Sequence, residues 1–390
     1  MAGGKVSLAL AVLLLGVQTP LRAQNIHRSD VIALGMGNAY LADGRDFNAF
    51  LYNPALLART GTQLQVEFGN VSLSLSGNFF GKKNFLRRNQ GGFVSFVADA
   101  RSEDVARRER AKTLHNTAEK KMVDEPADLS YSPAIVVKWW HLAAAVYTDV
   151  SYGFVVDSPG VFDEATQEFA PPAVRTRGEQ DIGLILGVGS RIKWVKGLAV
   201  GGNIKYFRRR LAQRRLQPED VGDVIDVAQA ALGSAKFFGR FGLDLGATYD
   251  FGERLGLAVV MHDIVRSNNF ADVEPLNLSI GLSLRPNADW KFNADIHDLL
   301  DKNDNERIDK AVAFEEGDRL RLGVQYSRLR FSRGEMPLRF GIGGGFVTAG
   351  FGAVWTPLPQ VLLRFDYAVA NSPRVDELEH FFQIKTLVQL

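Results

Sequence analysis

Cysteine is absent from the 390 residues, which excludes disulfide staples, thiol nucleophiles and an N-terminal lipid carried on cysteine. Proline is sparse, 14 residues against 38 glycines, and the glycines follow no collagen-like period. Neither sign of charge dominates: Lys+Arg 46 and Asp+Glu 44 give a formal net charge of +2, so no global field selects nucleic acid as a partner. The six histidines (27, 115, 141, 262, 297 and 380) show no metal-ligand spacing. A Gly-x-Ser-x-Gly elbow, a His-Glu-x-x-His pair and a P-loop are all missing, and Gly35-Met36-Gly37 lacks the third glycine of a dinucleotide-binding turn. No catalytic residue, cofactor or metal is therefore expected, and the chain reads as something other than an enzyme. Asp301-Lys302-Asn303-Asp304-Asn305 imitates the start of a calcium loop, but Glu306 stands where glycine is required and Val312 where the bidentate Glu belongs. It reads as a polar turn.

Long apolar runs are missing too, except at the start. Lys5 precedes the apolar and small residues Val6 to Val17, Pro20 breaks the run, and Leu21-Arg22-Ala23 leads to Gln24. That is the pattern of a cleavable secretory signal over 1–23, with the mature chain starting at Gln24. No later stretch reaches the roughly 18 apolar residues of a membrane-spanning helix. An exported chain without such helices is periplasmic, secreted, or a barrel in the outer membrane, since closed barrels are the non-helical structures that satisfy every backbone group in lipid.

What is there is alternation. Phe241, Leu243, Leu245, Ala247, Tyr249 and Phe251 interleave with Arg240, Gly242, Asp244, Gly246, Thr248 and Asp250. Strand side chains point to opposite faces in turn, so one face is apolar and the other polar or bare. Leu276–Leu284, Trp290–Ile296, Leu338–Ile342 and Val361–Val369 repeat the pattern in segments near ten residues, the length a tilted strand needs to cross a bilayer. Aromatic residues gather near the segment ends (Trp139, Trp140, Tyr206, Tyr249, Phe251, Trp290, Trp355), as interfacial girdles require. The last segment places Phe382, Ile384, Val388 and Leu390 on one face, so it can close a ring against the first strand. The expected fold is all-β: a transmembrane antiparallel barrel of about 14 strands over 61–390.

The strands are expected near 62–77, 91–99, 133–149, 150–156, 181–193, 197–209, 239–251, 254–264, 276–285, 289–298, 318–331, 337–347, 348–356, 361–370 and 380–390. Two inserts break the pattern. Arg101–Val123 is densely charged and reads as a solvated helix, and Val221, Val224, Ile225, Ala228 and Leu232 mark an amphipathic helix starting near Pro218. Arg208, Arg209 and Arg210 follow a strand and, if outside the cell, suit lipopolysaccharide phosphates. Tyr326–Leu329 slips register, and Gly341, Gly343, Gly344 and Gly345 suggest a kink or opening in the wall.

Between signal and first strand, Asn53 can cap a short helix whose first residue is Pro54, with Ala55 continuing it, and Gly35 and Gly37 permit tight turns. The residues Gly35, Gly37, Ala39, Asp46, Asn53, Pro54 and Ala55 form a glycine-alanine stretch, an acidic residue and an Asn-Pro-Ala triplet. This signature resembles that of the FadL-like outer-membrane superfamily, which includes long-chain fatty-acid transporters, the PorV and PorQ proteins of type IX secretion, and TraF-like relatives. Phe241–Ala247, Leu320–Tyr326, Leu338–Gly345 and Gly350–Tyr367 resemble the PorV-type branch in style. Leu390 departs from the terminal Phe of many outer-membrane barrels.

The resemblance implies an outer-membrane location, with residues 24–60 inside the barrel as a plug, or hatch, involving Gly35, Gly37, Asp46, Asn53, Pro54 and Ala55. It leaves two functions open: a channel for hydrophobic small molecules of the long-chain fatty-acid type, or a PorV-like partner for secreted proteins with no transport role. The expected partners are outer-membrane lipid and lipopolysaccharide, with a hydrophobic ligand or a secreted protein.

Overall fold

The alternating segments become the wall of a barrel. The computed structural model describes residues 30–44, 48–59, 63–123, 126–264, 276–300, 319–343, 346–371 and 378–390; the signal segment 1–23, Asp46, Asp301–Asn305, Gly344 and Gly345 lie outside them. Its first strands are β1 (Gln65–Leu75), β2 (Ala127–Trp139), β3 (Leu142–Ser158), β4 (Ala173–Arg191) and β5 (Leu198–Arg215). Next come β6 (Phe238–Phe251), β7 (Leu255–His262), β8 (Asn277–Leu284), β9 (Trp290–Ile296) and β10 (Leu320–Tyr326). The last four are β11 (Leu338–Gly343), β12 (Phe346–Leu358), β13 (Val361–Asn371) and β14 (Leu378–Gln389). Each pairs antiparallel with its neighbours in sequence, and β14 pairs with β1, so fourteen strands close a ring with no free edge. One short hairpin stands apart, Val161–Asp163 with Glu168–Ala170; another, Arg330–Phe331 with Gly334–Glu335, pairs with β12 through Gly334 and Glu335.

The barrel is apolar outside, and much of its inner face is polar. Phe241, Leu245, Ile280, Leu282, Trp290, Phe292 and Phe340 are exposed on the outer face, whereas Asp244, Thr248, Ser279, Ser283, Asn293, Asp295 and Arg339 are buried on the inner one. Such a surface is stable only against lipid, because water would leave a continuous apolar belt exposed. Tyr206 pairs with Phe241 (ring centroids 4.8 Å apart) at one end of the β5–β6 wall, and Tyr249 with Phe251 (4.6 Å) at the other. Phe241 and Tyr249 are about 26 Å apart along β6, or roughly 20 Å along the barrel axis after tilting, close to the height of a lipid-facing band.

With an even number of strands, both ends of the barrel sequence lie at one end of the cylinder. The helical connections both leave the opposite end, the extracellular one in bacterial barrels of this kind. After β1 come α3 (Phe79–Ala100) and α4 (Val105–Lys121), and between β5 and β6 a 3-10 turn (Pro218–Asp223) runs into α5 (Val224–Ser234). The helices bury Phe79, Leu86, Phe93, Phe96, Leu114 and Val224 against Phe154, Val156 and Val174 of β3 and β4. These strand residues share the parity of the lipid-facing Val146, Leu184 and Leu186, so the helices lean on the outer flank of strands that project beyond the bilayer.

Two expectations about strands are corrected. Residues 91–99 are not a strand but the second half of α3, whose buried Phe79, Lys82, Leu86, Phe93, Phe96 and Ala100 keep helical spacing. Asn78 caps its start by accepting from the Gly81 N–H at 3.2 Å. Gly91-Gly92 and the run Phe93-Val94-Ser95-Phe96 argue locally for a strand, and packing on the barrel overrides them. The supposed break between 149 and 150 is really at Trp140-His141: Trp139 pairs with Leu142, and Trp140 takes φ +58 in a tight turn without Gly or Pro to announce it.

Candidate functional site

The N-terminal segment occupies the lumen. Helix α1 (Val31–Gly35) packs on the wall around β12, while the 3-10 turn Pro54–Arg59 packs on the wall around β5. These strands are seven places apart on a fourteen-member ring and so face each other across the barrel. A chain that touches both must cross the interior. Its side chains bear this out, with Ile32, Met36, Leu41, Phe50, Tyr52, Leu56 and Leu57 all buried.

Polar wall residues hold it by its backbone. Asp295 accepts from the N–H groups of Tyr40 (2.5 Å) and Leu41 (2.9 Å). Asn293 donates to the Ala39 carbonyl at 2.8 Å, Asn203 to the Phe50 carbonyl at 2.9 Å, and the Thr348 hydroxyl accepts from the Gly37 N–H at 3.2 Å. Without such partners each backbone group would be buried unsatisfied. Asn53 accepts from the Ala55 N–H at 3.0 Å and donates to the Leu41 carbonyl at 3.0 Å, tying the turn that opens at Pro54 to the preceding loop. Asp30 caps α1 by accepting from the Ile32 N–H at 2.9 Å.

Ion pairs anchor it at the periplasmic end. Asp43 pairs with Arg285 and with Lys291 (3.1 Å), and Arg59 pairs with Asp250 and donates to the Ala42 carbonyl at 2.5 Å. Further charges are neutralised within the wall itself: Lys205 lies 2.7 Å from Asp244 and 3.0 Å from Asp263, and Arg339 2.9 Å from Asp366. His262 lies 3.4 Å from Asp244 in this set, on the lumenal face of the wall.

Parts of the lumenal wall are apolar, Ala258 and Val260 on β7 and Phe346, Ala368, Ala370 and Phe381 on β12–β14 among them. Val136, Ala143, Ala145, Ile185 and Phe207, with Tyr147, form a strip across β2–β5, and Phe50 and Leu57 of the N-terminal segment cover it. Beside the strip, on the same face of β2 as Val136, stands Lys138. It is 1 % exposed, and its ammonium has no hydrogen-bond acceptor among the described residues. Neither feature was expected from the sequence. The signal was present in Ile135-Val136-Val137, Ala143–Val146 and Leu184-Ile185-Leu186, where alternation fails because both faces are apolar.

The residues singled out from the sequence fall in different places. Gly35, Gly37, Asn53, Pro54 and Ala55 lie together in the lumenal segment, whose buried carboxylate among the described residues of that loop is Asp43. Gly341 and Gly343 are in the wall beneath it, and the ladder runs through both without a register shift, so no kink or opening occurs at these two. The wall does shift register in β1, between Phe68 and Val71, where Gly69 takes φ +59 and makes a bulge. Arg208, Arg209 and Arg210 are not beyond a strand but within β5, which continues to Arg215. Arg209 faces inward in a bidentate pair with Asp181 (2.7 and 2.6 Å), whereas Arg208 and Arg210 share the outer face with Ile204 and Tyr206.

The sequence matches no family model and no curated protein. Solved structures do match. The toluene transporter TbuX of Ralstonia pickettii superposes with a TM-score of 0.54 at 10% identity, covering 94% of this chain and 99% of that one. The monoaromatic hydrocarbon channel CymD gives 0.51 at 12% identity, with the same coverage of each chain. At these identities the likeness is one of architecture: end to end, this chain has the fold of the FadL-like outer-membrane barrels.

Proposed function

We propose that this protein is an outer-membrane channel for small hydrophobic molecules, closed by residues 24–60 acting as a plug. The observation that carries the reading is the apolar strip of Val136, Ala145, Ile185 and Phe207 on the lumenal wall, with Phe50 and Leu57 lying over it. When the plug shifts, the strip offers a hydrophobic molecule the contacts that Phe50 and Leu57 give up. The plug is held both by polar contacts to its backbone and by apolar packing, Ile32, Tyr52 and Leu56 clustering with Ala258 and Val260 of the wall.

Lys138 narrows the substrate class. A buried ammonium at the edge of an apolar strip fits an amphiphile with a negative head and a hydrocarbon tail. That favours the fatty-acid type implied by the N-terminal signature over the neutral hydrocarbons handled by TbuX and CymD.

The test is permeation into proteoliposomes of a medium-chain fatty acid and of toluene, through the full barrel and through a variant lacking 30–59. Faster entry of either molecule through the intact protein than through empty liposomes, and faster still without the plug, is the expected result. Background entry through both, together with a stoichiometric protein companion in outer-membrane pull-downs, would replace the channel with the secretion-partner function.

A further inference from the structure

On the outer face of β5, side chains follow one another in the order a bilayer requires. Val200 and Ile204 are exposed and apolar, Tyr206 joins the aromatic girdle with Phe241, and Arg208 and Arg210 come next toward the cell exterior. The two arginines are one residue apart on the same face, about 7 Å along the strand. Both guanidinium groups sit over the ring of Phe237, 4.6 and 4.7 Å from its centroid, which fixes their positions.

Their charge is not paired off. Arg208 has no carboxylate partner among the described residues, and the contacts of Arg210 besides Phe237 are neutral: the Gln180 side-chain oxygen at 2.8 Å and the Gly233 carbonyl at 3.5 Å. The intervening Arg209 shows the contrast, turned into the lumen and neutralised by Asp181. Across from Arg208 the neighbouring strand carries Gly239, so no side chain there covers the guanidinium.

We propose that Arg208 and Arg210 bind a phosphate group of the outer-leaflet glycolipid, the bis-phosphorylated lipid A of lipopolysaccharide. Two fixed guanidinium groups just beyond an aromatic girdle meet the level at which that phosphate lies, and the acyl chains then run down the apolar face past Ile204. A free anion would gain from the arginines but not from the apolar face, so the lipid is the ligand the whole ladder fits.

The experiment measures the unfolding temperature of the detergent-purified barrel with bis-phosphorylated lipid A, dephosphorylated lipid A or inorganic phosphate, and counts bound lipid by native mass spectrometry. Lipid A should stabilise the wild-type protein and remain bound, the dephosphorylated form should do so far less, and phosphate alone should not. R208Q/R210Q should keep its heat-modifiable gel mobility and lose about tenfold or more in lipid A affinity, as expected for lost charge-assisted contacts. R209Q should bind lipid A like the wild type. Equal binding of the two lipids by the wild-type protein, a comparison that needs no variant, would overturn the site. So would unchanged binding in a folded R208Q/R210Q, while stabilisation by inorganic phosphate alone would overturn the lipid as its ligand.

Discussion

Asp43 of the plug, fully buried, is ion-paired with Arg285, which stands in the periplasmic turn between β8 and β9, and Lys291 of β9 reaches the same carboxylate. This links the lumenal segment to the rim of the barrel. Replacing Asp43 by Asn strands two cations against a neutral amide, and the loss of one partner from a buried pair is worth up to about 3–5 kcal/mol. Arg285 and Lys291 keep some access to water, which lowers that figure. D43N should therefore raise the frequency of open events in planar-bilayer recordings while leaving the barrel heat-modifiable. An unchanged closed fraction would mean that the pair does not restrain the plug.

Gly341 makes a sharper prediction, because its contact is steric. A Cβ built on Gly341 would fall on the backbone of Met36 and Gly37, and Gly37 holds φ +63. The backbone at Gly37 cannot retreat without leaving the left-handed region it occupies. Gly341→Val should displace the α1 end of the plug, giving higher resting conductance at normal expression and folding. The same substitution at Gly91 on α3, which has open space around it, should have no effect on conductance.

The barrel was legible in the sequence because a wall between lipid and polar lumen forces a period of two on every strand, as in Phe241–Phe251 and Leu338–Ile342. Legibility failed where a strand or helix packs on protein instead. The buried face of α3 is spread at intervals of three, four and seven residues across a segment with Gly91-Gly92 in its middle, so no local window shows it. Ile135–Val137 and Ala143–Val146 are apolar on both faces, for the strip inside and lipid outside, and that reads as noise in an alternation test. Asp43 and Lys138 were invisible for another reason: what matters about them is the lumenal partner each has or lacks, and this depends on strand order rather than on local pattern.

The helical hairpin outside the membrane should respond to acid. Burial on its own raises the pKa of Asp99, but the Ser95 hydroxyl (2.8 Å) and the Arg107 guanidinium (2.7 Å) outweigh it and leave the carboxyl below its usual 3.8. A folded-state pKa below the unfolded one contributes stability that is present above pH 3.8 and is lost as pH falls through the folded value. The junction of α3 and α4 should thus loosen only below about pH 4, seen as a falling helical circular-dichroism signal while the barrel stays heat-modifiable. In Asp99→Asn, helicity at neutral pH should already be lower and should change less on acidification. A helical signal in Asp99→Asn equal to that of the wild type at neutral pH would show that the Asp99–Arg107 contact does not support the hairpin.

Lys138 ties the lumen to the choice of permeant. If its ammonium meets a negative head group while the tail lies along Val136, Ala145 and Ile185, then a fatty acid should outcompete its methyl ester, which has the same tail and no charge. Lys138→Met keeps the length and apolar stem of the side chain and removes only the charge, so the plug's packing is preserved. In the proteoliposome assay the wild-type protein should favour the acid over the ester by about tenfold, the factor a single charge-assisted contact provides, and Lys138→Met should bring the ratio near one. The sign of the change in total flux then separates two roles for the lysine. A loss of acid flux at constant ester flux makes Lys138 a binding residue for the head group. A parallel rise in both would make it a brace for the closed plug, and the argument for an anionic permeant would fall with it.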